Sequence, residues 1–175
     1  MNQPKQVIVI RRDLNMRRGK EIAQGAHGSC SWLAEKVWKL NKTRGFYLAT
    51  SLTTVGGLVM GLLSRGDAIW LYCIGIPAFL VTVFLAWRII ASLVKLSPEQ
   101  ELWLSGKFTK ICLQVPDEVA LGQIYVNARD AGLDVVMIED SGATEFHGEA
   151  TFTCVAIGPH EPEKIDAITG HLKIY

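Results

Sequence analysis

The chain has 175 residues, of which 49% are hydrophobic and 20% charged, with a formal net charge of +1. That balance excludes a disordered chain, and 16 glycines without a triplet period together with four scattered cysteines exclude collagen-like and disulfide-stapled classes. The near-neutral total hides a gradient: residues 1–44 carry ten Lys/Arg against three Asp/Glu, residues 45–96 three against one, and residues 97–175 five against thirteen. A basic head, an apolar middle and an acidic tail point to a polyanionic or membrane partner.

The first element is residues 7–10, Val-Ile-Val-Ile, a β-branched run of the kind buried on both faces of a sheet. No apolar leader is expected before it, because Arg11, Arg12, Arg17, Arg18 and Lys20 interrupt the first twenty residues. Residues 19–40 carry a helical period, with Ile22, Ala23, Ala26, Cys30, Leu33 and Val37 on one face, expected to pack. Lys20, Gln24 and His27 follow i, i+4, i+7 on the opposite face and present an ammonium, an amide and an imidazole in a row.

Two uncharged stretches come next, residues 46–64 and 68–87, joined by Arg65-Gly66-Asp67, which reads as a tight polar turn. About 20 apolar residues span a bilayer core as a helix. The pair is expected to form a transmembrane hairpin inserted over residues 45–96. Lys36, Lys39, Lys42 and Arg44 before it and Arg88 and Lys95 after it place both ends in the cytoplasm. The expected location is therefore membrane-associated, with the remaining domain, residues 1–44 and 97–175, on the cytoplasmic side.

Beyond the hairpin, residues 108–115 alternate as a strand, Pro116-Asp117 opens a helix to about residue 131, and residues 135–138 form a second buried run. Residues 140–145, Asp-Ser-Gly-Ala-Thr-Glu, follow that run at the carboxyl end of a strand, where α/β folds place their chemistry. Residues 151–157 read as a further strand ended by Gly158-Pro159, followed by a short helix near 163–168 and a terminal strand at 172–174. The expected class is α/β, a three-layer mixed β-sheet flanked by helices and interrupted by the hairpin. The four cysteines, Cys30, Cys73, Cys112 and Cys154, fit no metal or redox spacing and are expected to be buried, reduced thiols.

Several of these segments together resemble the type 2 peptidyl-tRNA hydrolase family. The resemblance is carried by residues 7–16, Gly19-Lys20, Ala23-Gln24-Gly25-Ala26-His27, the Asp140-Ser141-Gly142-Ala143-Thr144-Glu145 motif, and the closing stretches 153–159 and 165–173. It spans nearly all of the chain outside the hairpin. It departs from the family at Gly25, where many members carry Cys, in a loop at 146–151 about one residue longer, and in the hairpin itself.

The resemblance implies cleavage of the ester that joins a peptide or N-blocked amino acid to the 3′ ribose of tRNA, with no metal or cofactor. Its implied catalytic set is Lys20, His27, Asp140, Thr144 and Thr153, with Gln24 and Gly142 positioning the substrate. Such a reaction needs an activated water and donors for an oxyanion. His27 and Asp140 remain alternatives as the base, since an imidazole titrates near neutrality and a carboxylate more readily orients water. Arg11, Arg12, Arg17 and Arg18 would hold tRNA phosphates. The implied partners are peptidyl-tRNA, the lipid bilayer through residues 46–87, and a second copy in a homodimer. The competing reading is a non-enzymatic, membrane-anchored module that binds tRNA or protein on the same scaffold.

Overall fold

The structure is a computed structural model that describes residues 3–63 and 76–175, with side chains described for 3–42, 76–77, 79–88 and 95–175. Its first strand, β1 (Lys5–Arg11), is buried almost throughout, with Val7, Ile8, Val9 and Ile10 each at most 3% exposed. Neighbours on both edges and helices on both faces remove such a strand from water, hence the unbroken apolar run. The chain continues through α1 (Arg18–Leu63), α2 (Ile76–Val94), α3 (Pro98–Ser105), β2 (Lys110–Val115), α4 (Glu118–Asp130), β3 (Val135–Asp140), β4 (Thr151–His160), α5 (Pro162–Thr169) and β5 (Lys173–Ile174).

The sheet order is β3-β4-β1-β2-β5; β1 runs parallel to β2 and antiparallel to β4, and both outer strands join antiparallel. The expected mixed α/β sheet is present. Period-two alternation along β1 splits the core. Val7 and Val9 pack with Leu121, Ile124 and Ala128 of α4 and Ile165 of α5, while Ile8 and Ile10 join Met16 and Cys154 on the other face.

The chain divides into two compact units, Met1–Ala34 with Leu96–Tyr175, and Glu35–Lys95. Within the first, the α1 face that packs is not the expected one. Gln24, Gly28 and Trp32 are buried at i, i+4, i+8, whereas Ile22 is 66% and Leu33 39% exposed. Gly28 allows this approach: a Cβ there would lie 3.5 Å from Cys154 Sγ and Ala156 Cβ and 3.6 Å from Ile8. Hydrogen bonding of the polar stripe to the sheet outweighs the burial that the apolar stripe would have gained.

One element is added and two further expectations are corrected. Helix α3 was not foreseen, although Ser97-Pro98-Glu99-Gln100 carries a reciprocal capping box, with Pro98 in the first turn. Strand β4 does not stop at Gly158-Pro159 but continues to His160, with Gly158 at φ +86°. Cys30 and Cys112 are exposed, only Cys154 is buried, and Cys73 lies outside the described residues. Trp103 of α3 is 1% exposed and meets Trp32 edge-on at 6.1 Å, closing the core beside α1.

In the second unit, the first expected span, 46–64, falls where side chains are outside the described residues, and the second, 68–87, is described only from residue 76. Among the described residues no helix is long and apolar enough to cross a membrane, so they do not support the hairpin as a pair of spans. Leu80, Val81, Phe84, Leu85 and Trp87 of α2 are each more than half exposed.

Gly28 supplies a test of the docking. Gly28→Ala meets only ordinary contacts, so the melting temperature should hold or rise, as helix propensity favours Ala by up to about 1 kcal/mol. Gly28→Leu should lower unfolding free energy by about 1–3 kcal/mol in urea titration, because the added volume pushes α1 off the sheet.

Candidate active site

The site forms where the start of α1 meets the carboxyl end of β3. Asp140, the last residue of that strand, receives donors on both oxygens. Lys20 Nζ lies 2.6 Å and Gln24 Nε2 2.7 Å from Oδ2, while the Gly142 N–H donates to Oδ1 at 2.9 Å. The turn is shaped for this: Gly142 sits at φ +79°, and a Cβ there would be 2.3 Å from the Glu149 carbonyl oxygen. Only glycine fits, and Gly142 therefore positions Asp140 through its backbone.

The hydrogen-bond chain has a direction. The Thr153 hydroxyl donates to Gln24 Oε1 at 2.8 Å, which turns the amide nitrogen toward Asp140. Thr153 and Gln24 are 0% and 2% exposed. Thr153, placed in the implied catalytic set, is buried and donates its hydroxyl proton to Gln24. Gln24 donates one amide N–H to Asp140, accepts from Thr153 and lines the groove. Lys20 also donates to Thr144 Oγ1 at 3.1 Å and lies 5.4 Å from the Phe146 ring centroid. Phe146 escaped the sequence reading because nothing in its spacing marks it; the loop fold alone brings it over the ammonium.

The electrostatics follow from these partners. The hydrogen bond from Lys20 holds the Asp140 carboxyl below the usual carboxylate range, against the opposing effect of burial, with the Gly142 N–H adding to it. Asp140 is therefore ionised at neutral pH and a weak proton acceptor. Burial pushes the Cys154 thiol up to about 12, so it supplies no thiolate. Among the described residues no cluster of three or more His, Cys, Asp or Glu is arranged to hold a metal ion.

His27, one turn past Gln24, is exposed and lines a groove of about 770 Å³ together with Asp140. The basic cluster divides. Arg11 is corrected from a phosphate ligand to a buried structural cation: it is 7% exposed, paired with Asp13 at 2.7 Å and Glu118 at 2.6 Å, and donates to the Phe152 carbonyl at 2.8 Å. Arg17 is 78% exposed at its side chain and held at one nitrogen by Glu145, 2.7 Å away. Arg12 lies over the Tyr175 ring at 4.9 Å, and Arg18 is exposed.

A lysine–carboxylate–amide–hydroxyl chain at the edge of a mixed α/β sheet, beside an open groove, defines a preorganised polar site. The comparisons give that class a family. The model of the family Peptidyl-tRNA hydrolase PTH2 matches residues 4–48 and 84–175, and the chain belongs to that family. It is 46% identical to the peptidyl-tRNA hydrolase of Methanocaldococcus jannaschii over 72 residues, 41% of this chain and 62% of that protein. It is 29% identical to the peptidyl-tRNA hydrolase of Sulfurisphaera tokodaii over 170 residues, 97% of each chain. With that of Aeropyrum pernix it shares 28% over 171 residues, 98% of this chain and 95% of that protein.

Asp140 links the site to folding. Its folded value lies below the ordinary carboxylate value near 4, so its ionised form adds stability that is complete above about pH 4 and is lost as pH falls through the folded value. Thermal melts of wild type and Asp140→Asn should therefore differ most near neutrality, and the difference should shrink as pH falls through the folded value.

Proposed function

We propose that this protein hydrolyses the ester between a peptide, or an N-blocked amino acid, and the 3′ ribose of tRNA. The observation that carries the reading is the polar chain Thr153–Gln24–Asp140–Lys20, assembled on a scaffold of the peptidyl-tRNA hydrolase family.

Counting donors and acceptors supports a division of roles. A carboxylate offers about four acceptor positions. Asp140 uses two on Oδ2 and one on Oδ1, so Oδ1 retains a place for a water hydrogen. Because Asp140 is depressed, it orients that water rather than taking its proton. His27, exposed in the same groove, is the base. An ammonium has three donors. Lys20 commits two, to Asp140 and Thr144, and aims its third at the oxyanion. Thr144 accepts from Lys20, which leaves its own hydroxyl proton to donate to the same oxygen or to the departing ribose. Arg12, Arg17 and Arg18 attract the tRNA backbone, and turnover at subsaturating substrate should fall as salt rises.

A purely binding module does not require this economy. A lysine and a carboxylate at 2.6 Å, 12% and 14% exposed at their side chains, are held by a buried amide and a turn that only glycine fits. That is the preorganisation an ester-cleaving site needs.

The same proposal includes attachment to a membrane through the inserted segment. Two observations support it: the family match passes over residues 49–83, and the described side chains of α2 expose Leu80, Phe84 and Trp87. The protein should sediment with membranes and resist carbonate extraction; recovery of it in the supernatant without detergent removes the anchor.

For the chemistry, release of tRNA from N-acetyl-aminoacyl-tRNA is the direct assay. Lys20→Ala should lower kcat by about 100-fold or more, the scale of one lost oxyanion donor, and Asp140→Ala, which releases both the water and Lys20, by at least about as much, with far-UV circular dichroism unchanged. Thr153→Val should give a smaller loss, because Gln24 remains but its amide is no longer locked. Wild-type turnover in Asp140→Ala would sink the assignment.

A further inference from the structure

The groove at the site does not stop there. From Asp140 it runs back along β3, walled on one side by Met137, Ile138 and Glu139 and on the other by Cys30, Ser31 and Ala34 of α1. The two walls run alongside each other from the same end. Gln24 reaches Asp140, and Gly28, one turn on, lies against Cys154 and Ala156, which pair with Ile138 and Val136. Ten residues of helix from Gln24 to Ala34 advance about 15 Å, and β3 rises about 17 Å over its length.

β3 is an outer strand of the sheet, and among the described residues it pairs only with β4. The Gly158 N–H donates to the Asp134 carbonyl at 2.8 Å, which fixes the phase of the ladder. Hydrogen-bonded pairs then fall at Asp134, Val136 and Ile138, and the N–H and C=O groups of Val135 and Met137 face away from β4. An open row of backbone donors and acceptors is a template for an added strand.

We propose that the peptidyl part of the substrate binds as an added β-strand on this edge, and that it runs parallel to β3. The inference rests on the ester-hydrolase reading. The direction follows from chemistry: the ester is at the peptide's carboxyl end and reacts beside Asp140, the carboxyl end of β3. In parallel pairing one peptide residue donates to Val135 C=O and accepts from Met137 N–H, and the residue two further on donates to Met137 C=O. The residue between them turns both groups away. Main-chain pairing of this kind reads no side chains, which suits a substrate whose peptide has any sequence.

The experiment is a scan of single N-methyl groups along an N-acyl pentapeptidyl-tRNA, with the purified full chain. KM should rise about tenfold at alternate positions, the loss of one main-chain hydrogen bond near a partly buried edge, and stay unchanged between them, with kcat constant throughout. Ala34→Trp, on the exposed groove wall away from the reacting groups, should raise KM for the pentapeptidyl substrate and leave N-acetyl-aminoacyl-tRNA unaffected. A flat N-methyl profile with continued hydrolysis overturns the strand proposal and leaves the hydrolase reading intact. An equal KM rise for both substrates in Ala34→Trp means that the groove holds RNA and also overturns it. No hydrolysis of any ester by wild type overturns both readings together.

Discussion

The ion pair between Lys20 and Asp140 is the constraint on which the rest of the site depends. It joins the first turn of α1 to the last residue of β3, 120 positions apart in sequence, at 2.6 Å and with little exposure to water. Two desolvated charges are stable only when further donors and acceptors complete their shells. Here Gln24, Thr144 and the Gly142 backbone do so. The chain that results is at once the reason α1 docks with its polar side inward and the reason a carboxylate and an ammonium stand fixed beside an open groove. Stability and chemistry share the same atoms.

This shared use explains why the helix face was misjudged from its pattern. Amphipathic reasoning assigns the apolar stripe to the core, and Ile22, Cys30, Leu33 and Val37 make a regular one. The stripe that packs contains Gln24, a glycine and Trp32. Gly28 removes the steric barrier to the sheet, and Gln24 recovers in directed hydrogen bonds what it does not bury as apolar area. A functional site is where such local rules give way, because its polar groups are satisfied by residues far along the chain.

The same logic separates the basic residues. Arg11 and Arg17 look alike as neighbours in a cationic cluster. Arg11 ends a central strand, so its side chain emerges inside the fold, where two carboxylates and a carbonyl surround it. Arg17 precedes α1 and projects to solvent. Thr144 and Thr153 divide similarly: one sits in the exposed loop within reach of Lys20, the other in a buried strand behind Gln24.

The sequence by itself determined the strand cores, the mixed α/β class, the family and the Lys20, Gln24, Asp140, Thr144 and Thr153 group that hydrogen bonds join. Those properties are written in local runs and short motifs: the Val-Ile-Val-Ile strand, the Lys-Gln-His spacing, the Asp-Ser-Gly-Ala-Thr turn. Only the tertiary structure decided which side of α1 is inside, which threonine touches Lys20, which arginine is spent on carboxylates, and that among the described residues β3 pairs on one edge only, beside Asp140. Each of these depends on which segments become neighbours across a hundred or more residues, and periodicity along one segment carries no record of what will lie opposite it.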